Sequence, residues 1–229
     1  MHDLPATCCN LYLRDMKLLL VTATPEEIQP LSSHFDFREG PNIVNGNEIF
    51  ILVTGVGMVA TAWSMGQALA SDTFDFAFNA GIAGSFSRTL NPGDVVNVEK
   101  DCFSELGAQD HDAFLSIDHL GFGRGTEYPV SGHLSDALSD HLPKVSAITV
   151  NTVHGNEESI EQTVARLNPD IETMEGAAFF YCCRMKSLPG LQVRAVSNYV
   201  ERRNRLAWNI PLAIANLNKE LIYLLNKLV

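Results

Sequence analysis

The sequence has few basic residues and no long apolar run. Sixteen lysines and arginines face 27 acidic residues, which gives a formal net charge of −11 over 229 residues. Because nucleic-acid binding needs a positive face for the phosphates, this balance argues against a nucleic-acid partner. No run of about 18 apolar residues is present, so neither a membrane-spanning helix nor a membrane partner is predicted.

The cysteines fit neither a metal site nor a disulfide framework. There are five, and four of them stand in adjacent pairs, Cys8-Cys9 and Cys182-Cys183. An odd number without metal-ligand spacing favours reduced thiols, and we therefore expect a cytoplasmic protein. We predict no metal and no cofactor.

What is present is an alternation of apolar strands and helices in a composition that suits one larger domain. Strands are predicted at residues 17–22, 43–44, 48–53, 74–79, 94–98, 146–151, 171–173 and 192–197. Helices are predicted at residues 25–34, 60–71, 135–141, 157–167, 175–187 and 211–228. Such alternation is typical of a mostly parallel sheet covered on both faces.

The pair Asn45-Gly46 favours a tight hairpin and so adds an antiparallel pairing. The predicted fold is therefore three-layer α/β/α with a mixed, mostly parallel central sheet. One domain is predicted over residues 16–229, preceded by a flexible extension at residues 1–15. Residues 101–128 form a polar stretch without clear periodicity.

Two carboxylates stand in the apolar stretch IETMEGAAFFY, at residues 171–181, where a strand is predicted to run into a helix. A carboxylate among apolar groups is costly unless it is hydrogen-bonded, so Glu172 and Glu175 are candidates for a function. Glu175 also fits a first helical turn, where it would complement the helix dipole. Earlier in the chain, Thr24 and Glu27 match a capping box around Pro25.

The segment GVGMVA at residues 55–60 matches the dinucleotide fingerprint G-x-G-x-x-A. It follows a hairpin and does not lie in the first strand–helix–strand unit, so close packing of loop on helix is the favoured interpretation. More generally, ligands in open α/β sheets bind beyond the carboxyl ends of the strands. Polar or glycine-rich segments follow six of the predicted strands.

Several of these segments carry a family resemblance across residues 16–229. They are TPEEI, TGVGMVATA, NAGIAGSF with LNPGDVV, ETMEGAAF and VRAVSN. Together they resemble the nucleoside phosphorylase and nucleosidase superfamily. Through the tail SNYVERRNRLAW the chain is most similar to the futalosine hydrolases of menaquinone biosynthesis, which are related to methylthioadenosine/S-adenosylhomocysteine nucleosidases.

The resemblance implies an N-glycosyl hydrolase in which Glu27 activates water and Asn198 grips the leaving purine. It further implies a nucleoside substrate held by Met174, Glu175, Gly81, Ile82, Thr152, Val153 and Arg203. A homodimer is implied as well, because neighbouring chains in this family often close the active site. His154 is expected to be structural. The arginines at 202, 203 and 205 are either a solvated face or a site for a substrate carboxylate.

Elementary chemistry agrees with hydrolysis of a 6-oxopurine nucleoside. A phosphorylase needs a basic group for phosphate, and neither TATPEEI nor NAGIAGSF contains one. Asn198 stands where the adenine-releasing relatives have Asp, and an amide can both donate and accept toward N7 and a 6-oxo group. Hypoxanthine is therefore the expected leaving base. The alternatives are a simple turn at Asn198, an adenine-releasing nucleosidase, a phosphorylase, or a non-catalytic nucleotide-binding module.

Overall fold

A computed structural model describes residues 15–130 and 132–228. The strands are β1 (Lys17–Thr22), β2 (Asn42–Val44), β3 (Asn47–Val53), β4 (Phe76–Ser85), β5 (Val95–Phe103), β6 (Gly107–Asp110), β7 (Ala113–Ser116), β8 (Thr126–Glu127), β9 (Lys144–Thr149), β10 (Ile171–Thr173) and β11 (Gly190–Tyr199). The helices are α1 (Gln29–Phe35), α2 (Met58–Ser71), α3 (His133–Ser139), α4 (Glu157–Leu167), α5 (Gly176–Lys186) and α6 (Ile210–Lys227). The predicted extension at residues 1–15 lies, apart from Asp15, outside the described residues.

One mixed sheet organises the described part of the chain. Its strands run in the order β10-β9-β5-β11-β4-β1-β3-β2, and β8 adds to β5. Strand β1 pairs in parallel with both β3 and β4, whereas β2 and β3 form the predicted antiparallel hairpin. Strand β10 pairs in parallel with β9 and antiparallel with β4, so five strands close on themselves. The predicted α/β fold with a mixed sheet is confirmed.

The apolar run in β1 is continuous because both faces of the sheet are buried. Leu18 and Leu20 pack into a core that includes α6, while Leu19 and Val21 pack into a second core with α2 and α5. Alternate side chains point to opposite faces of a strand, so one short segment supplies both cores. This places β1 and β4 at the centre of the molecule.

Three predicted elements differ from the structure. Strand β4 does not end at Asn79 but continues through the glycine-rich segment to Ser85. The stretch predicted to lack periodicity, residues 101–128, contains the end of β5, the β6–β7 hairpin and β8. The helix predicted at residues 25–34 begins as a 3-10 turn, Pro25–Ile28, and only then becomes α-helical.

The extension of β4 has a clear physical cause. Glycine lowers strand propensity, yet here the backbone of residues 80–85 pairs with β11 on one side and, at its end, with β10 on the other. Tertiary pairing therefore overrides local preference. None of the described helices is both long enough and apolar enough to cross a bilayer.

Candidate active site

A cavity of about 440 Å³ opens where β4, β10 and β11 end. Its lining comes from segments far apart in sequence, including the turn after β1, the loop after β3 and the start of α6. A larger, more open groove lies between the β6–β7 hairpin and α4, but its lining includes none of the residues that the sequence predicted for a site. The candidate site is therefore the smaller cavity.

Glu27 presents two differently engaged oxygens at this cavity. Its Oε2 accepts hydrogen bonds from the Thr22 hydroxyl (2.9 Å) and from the backbone N–H groups of Ala23 (3.0 Å) and Thr24 (3.1 Å). Its Oε1 accepts one from the backbone N–H of Ile82 (3.1 Å). Capping and catalysis looked like competing roles for this carboxylate. The structure assigns the cap to Oε2, and Oε1 keeps accepting capacity.

Glu175 occupies the N-cap position of α5, and its buried side chain points away from the helix end. Oε1 accepts a hydrogen bond from the backbone N–H of Gly57 at 3.1 Å, and Oε2 lies 3.5 Å from Nη1 of Arg194. Gly57 has a φ of 101°, a conformation that favours glycine, and it starts α2. The GVG segment that resembled a dinucleotide fingerprint therefore holds this carboxylate.

Arg194 is a residue that the sequence reasoning missed. It is 1% exposed, although arginine is rarely buried, and it stands on β11 opposite Gly81. Its Nε donates to the side-chain oxygen of Gln192 (3.0 Å), and its Nη2 donates to the side-chain oxygen of Asn79. The guanidinium thus meets Glu175 from inside the sheet. Arg194 lies in the segment VRAVSN that carries the resemblance, but the sequence analysis assigned it no role.

A buried acidic side chain, Asp101, lies behind Arg194. The Asp101 carboxylate accepts hydrogen bonds from Nε2 of Gln192 (3.1 Å) and the hydroxyl of Thr149 (2.8 Å). Complete burial raises the pKa of Asp101 to about 7, although both of these bonds and the nearby guanidinium act in the opposite direction. Thr149 in turn accepts from the N–H of Ala177 in α5. The start of α5, and with it Glu175, is tied to this network.

Asn198 lies inside β11, opposite Gly84, and not in a turn. A bulge at Ser197 shifts the register of β11 just before it, and bulges of this kind redirect side chains. The Asn198 Oδ1 accepts from the Ser197 hydroxyl (2.7 Å), and its Nδ2 donates to the carbonyl of Tyr199 (2.9 Å). One amide hydrogen and one oxygen lone pair remain for a ligand.

Glu172 and His154 form a tight pair in the lining of the same cavity. The His154 Nδ1 lies 2.6 Å from Oε2 of Glu172, and the backbone N–H of His154 donates to Oε1 at 3.1 Å. The other ring nitrogen, Nε2, lies 3.0 Å from the hydroxyl of Thr163. Both ring nitrogens of His154 are thus engaged by protein groups.

Most of the predicted site residues share the cavity lining. Those that do are Glu27, Ile82, Val153, Met174, Glu175, Asn198 and Arg203. Two do not belong to the described lining: Thr152 is exposed outside it, and Gly81 is buried beneath Glu27 and Arg194. Arg203 is itself exposed, its guanidinium lies 5.2 Å from the ring of Trp208, and its neighbours Arg202 and Arg205 are solvated.

Comparison with known proteins then places the chain. The family model described as phosphorylase superfamily matches residues 17–226. This chain belongs to the phosphorylase superfamily. It is 30% identical over 214 residues to the futalosine hydrolase of Acidothermus cellulolyticus, and the alignment covers 88% of this chain and 87% of that protein.

Solved structures show the same fold. This chain aligns with the futalosine hydrolase of Helicobacter pylori with a TM-score of 0.79 at 16% identity, and the alignment covers 93% of this chain and 98% of that one. It also aligns with a methylthioadenosine/S-adenosylhomocysteine nucleosidase of Colwellia psychrerythraea in complex with adenine, with a TM-score of 0.77 at 20% identity, covering 95% and 98%. The resemblance drawn from the sequence is confirmed.

Proposed function

We propose that this protein hydrolyses the N-glycosidic bond of futalosine and releases hypoxanthine and dehypoxanthine futalosine. The observation that carries the proposal is that one cavity, lined by three buried carboxylates, brings those of Glu27 and Glu175 together with the amide of Asn198. Glu27 lies near Gly81, Glu175 lies against Arg194, which pairs with Gly81, and the amide lies near Gly84, roughly 10 Å farther along β4 at about 3.3 Å per residue. A similarity of 30% identity to a futalosine hydrolase supports this substrate.

In the proposed reaction, the bond between C1′ of the ribose and the purine nitrogen breaks, and its electron pair leaves with the base. Positive charge develops on the sugar, where Glu175 and Glu27 lie, and negative charge develops on the base, where Asn198 can donate. Water adds to C1′ and gives a proton to Glu27. A proton then returns to the departing purine, so the sum is the addition of one water molecule.

Phosphorolysis is the second candidate, because the structure adds a basic group that the loops lack. Arg194 lies against Glu175, and arginine is a preferred phosphate ligand. Three of its five N–H donors, however, are engaged by Gln192, Asn79 and Glu175, and the side chain is only 1% exposed. A dianion placed there would also face the Glu27 carboxylate, so water remains the favoured nucleophile.

The test is to incubate the purified protein with futalosine, and separately with methylthioadenosine, each with and without phosphate. The freed base and the sugar product are identified by chromatography and mass spectrometry. We expect hypoxanthine and a free hemiacetal sugar whether or not phosphate is present. A phosphorylated sugar would support the phosphorylase, and preferential release of adenine would overturn the proposed substrate.

We also infer a homodimer, as the resemblance implies. Exposed apolar residues cluster on α2, on α5 and at the mouth of the cavity, and they include Val56, Val59, Trp63, Tyr181 and Met185. Helices α2 and α5 pack against each other, so a second copy would cover one continuous apolar face. Light scattering should give a mass of about twice the 25.1 kDa chain. A monomer at micromolar concentration would contradict this inference.

A further inference from the structure

We propose that Glu172 determines the choice of base by accepting a hydrogen bond from N1–H of a 6-oxopurine. The inference rests on the proposed function and adds a residue that the family resemblance did not assign. It is drawn from the position of Glu172 opposite Asn198, and from the way His154 and Thr163 hold its carboxylate.

Glu172 and Asn198 flank the same residue of the central sheet. Strand β10 pairs Glu172 with Gly84, and β11 pairs Asn198 with Gly84 from the other side. A methyl group at Gly84 would lie 3.5 Å from Cγ of Glu172 and 3.5 Å from Nδ2 of Asn198. The two side chains therefore converge over a glycine, and both line the cavity. The missing side chain leaves a notch between an acceptor and an amide, and the atom nearest to the missing methyl position is Cγ2 of Val200, at 2.9 Å.

The two polar groups match the two edges of one purine. In a 6-oxopurine N1 carries a hydrogen, whereas O6 and N7 accept. A carboxylate can only accept, so Glu172 suits N1–H, and the amide of Asn198 suits O6 and N7. In a 6-aminopurine N1 carries a lone pair instead. Facing that lone pair with a carboxylate leaves two acceptors together, which costs affinity.

Hydrogen bonds from His154 hold the Glu172 carboxylate in place as an acceptor. All the hydrogen bonds described for Glu172 come from His154, at 2.6 Å from the ring and 3.1 Å from the backbone. The Thr163 hydroxyl lies 3.0 Å from the other ring nitrogen, and when it donates there it places the histidine proton on the nitrogen facing Glu172. About four acceptor positions exist on a carboxylate, so at least one remains for a ligand.

The variant Glu172→Gln tests the proposal sharply. When its side-chain oxygen takes the place of Oε2, which lies 2.6 Å from the ring and 3.4 Å from the backbone nitrogen of His154, the NH₂ group takes the place of Oε1. There it suits N1 of adenine and opposes N1–H of hypoxanthine. We expect the ratio of the dissociation constants for free hypoxanthine and free adenine, measured by calorimetry, to move toward adenine by about 10- to 100-fold. The ratio of kcat/KM for 6-oxo and 6-amino nucleosides should move in the same direction.

The matched control is Glu127→Gln, the same change at another buried carboxylate. Glu127 is fully buried and pairs with Arg184 outside the cavity. This control should lower stability without moving the base ratio. If wild type releases hypoxanthine and Glu172→Gln leaves the ratio unchanged, the inference fails alone. If wild type binds neither base, or prefers adenine, the inference and the proposed function fail together.

Discussion

At the scale of single residues, the two side-chain oxygens of Glu27 have different partners: Oε2 caps the turn after β1, and Oε1 keeps accepting capacity for water. In Glu27→Gln the side-chain oxygen can still accept from the N–H groups of Ala23 and Thr24, so the turn after β1 should persist. The variant cannot take a proton from water. We therefore expect kcat to fall by about 10²- to 10⁴-fold, the usual contribution of a general base, with little change in KM.

The measurement is steady-state kinetics with the substrate identified by base release. Glu99→Gln, an exposed carboxylate on β5, serves as the control and should behave like wild type. A Glu27→Gln enzyme that keeps near-normal kcat would leave this carboxylate with its capping role alone.

The amide of Asn198 is the second residue whose chemistry can be tested alone. Asn198→Asp replaces the donor of the amide with an acceptor, so O6 of a 6-oxopurine would face a carboxylate. We expect the transition-state stabilisation derived from kcat/KM for the 6-oxo nucleoside to fall by at least about 2 kcal/mol, the scale of a buried polar mismatch. The ratio of 6-amino to 6-oxo turnover should rise.

Competition between nucleosides with the two bases gives this ratio directly. An unchanged ratio would move base selection away from Asn198. It would then be sought in the segment at residues 152–154 and in Glu172.

At the scale of elements, the long amphipathic or apolar segments were predictable and the glycine-rich strand was not. Helix α4 was predicted with its observed bounds, Glu157–Leu167, because its periodicity is regular and Asn156 caps it. Strand β4 was cut short because Gly81 and Gly84 have low strand propensity. Its extension depends on pairing with β10 and β11, which no local pattern records.

Buried polar networks were missed for the same reason. An arginine in a strand normally reaches solvent, and nothing near Arg194 in sequence indicates that Gln192, Asn79 and Glu175 enclose it. By contrast, Glu27 and Glu175 were predicted as site residues because each stands in a recognisable local segment, and both line the cavity. Arg194 also lies in a quoted segment, VRAVSN, but its burial depends on distant neighbours and could not be predicted.

Two glycine-to-alanine substitutions compare a glycine packed against side chains distant in sequence, Gly81, with a glycine inside a helix, Gly66. In Gly81→Ala the new methyl group would clash with Nη1 of Arg194 and lie 2.9 Å from Oε1 of Glu27. Both side chains are buried and hydrogen-bonded, so we expect a loss of about 1–3 kcal/mol in the free energy of unfolding and a marked loss of turnover. Gly66 lies within α2, and a methyl group added there would have no atom of the described residues outside its own helix turn within 4 Å.

Gly66→Ala should therefore stabilise by roughly 0.5–1 kcal/mol through helix propensity. Because Gly66 lies on α2 close to Trp63 of the inferred dimer face, the turnover of this variant is compared at the same oligomeric state as wild type, where it should be unchanged. Urea denaturation and kinetics of the two variants give the comparison. Equal stability of Gly81→Ala and wild type would show that Arg194 and Glu27 can move aside, and would contradict the close packing seen in β4.

At the scale of the whole molecule, the closed ring of strands encloses ionisable groups that water cannot reach. Asp101 on β5 is the clearest case, because it is fully buried and its network reaches α5. A buried acid of this kind links the free energy of unfolding to pH. The structure therefore predicts a pH dependence that neither composition nor net charge would indicate.

The final prediction follows from the sign of that linkage. Burial raises the pKa of Asp101 from 3.8 in the unfolded chain to about 7 in the folded one. The folded protein therefore keeps a proton that the unfolded chain releases, and this contribution is fully present below about pH 4 and lost as pH rises to about 7. At about 1.4 kcal/mol per pH unit, the loss from this group amounts to roughly 4 kcal/mol at most.

Asp101→Asn cannot titrate. The free energy of unfolding of the wild type minus that of the variant should therefore fall by a few kcal/mol between pH 4 and pH 7 and stay constant above pH 7. Urea denaturation at half-unit pH steps measures both curves, and Asp112→Asn, an exposed acid, provides a control whose curve should run parallel to wild type. Parallel curves for Asp101→Asn as well would mean that Thr149, Gln192 and Arg194 keep this carboxylate ionised despite its burial.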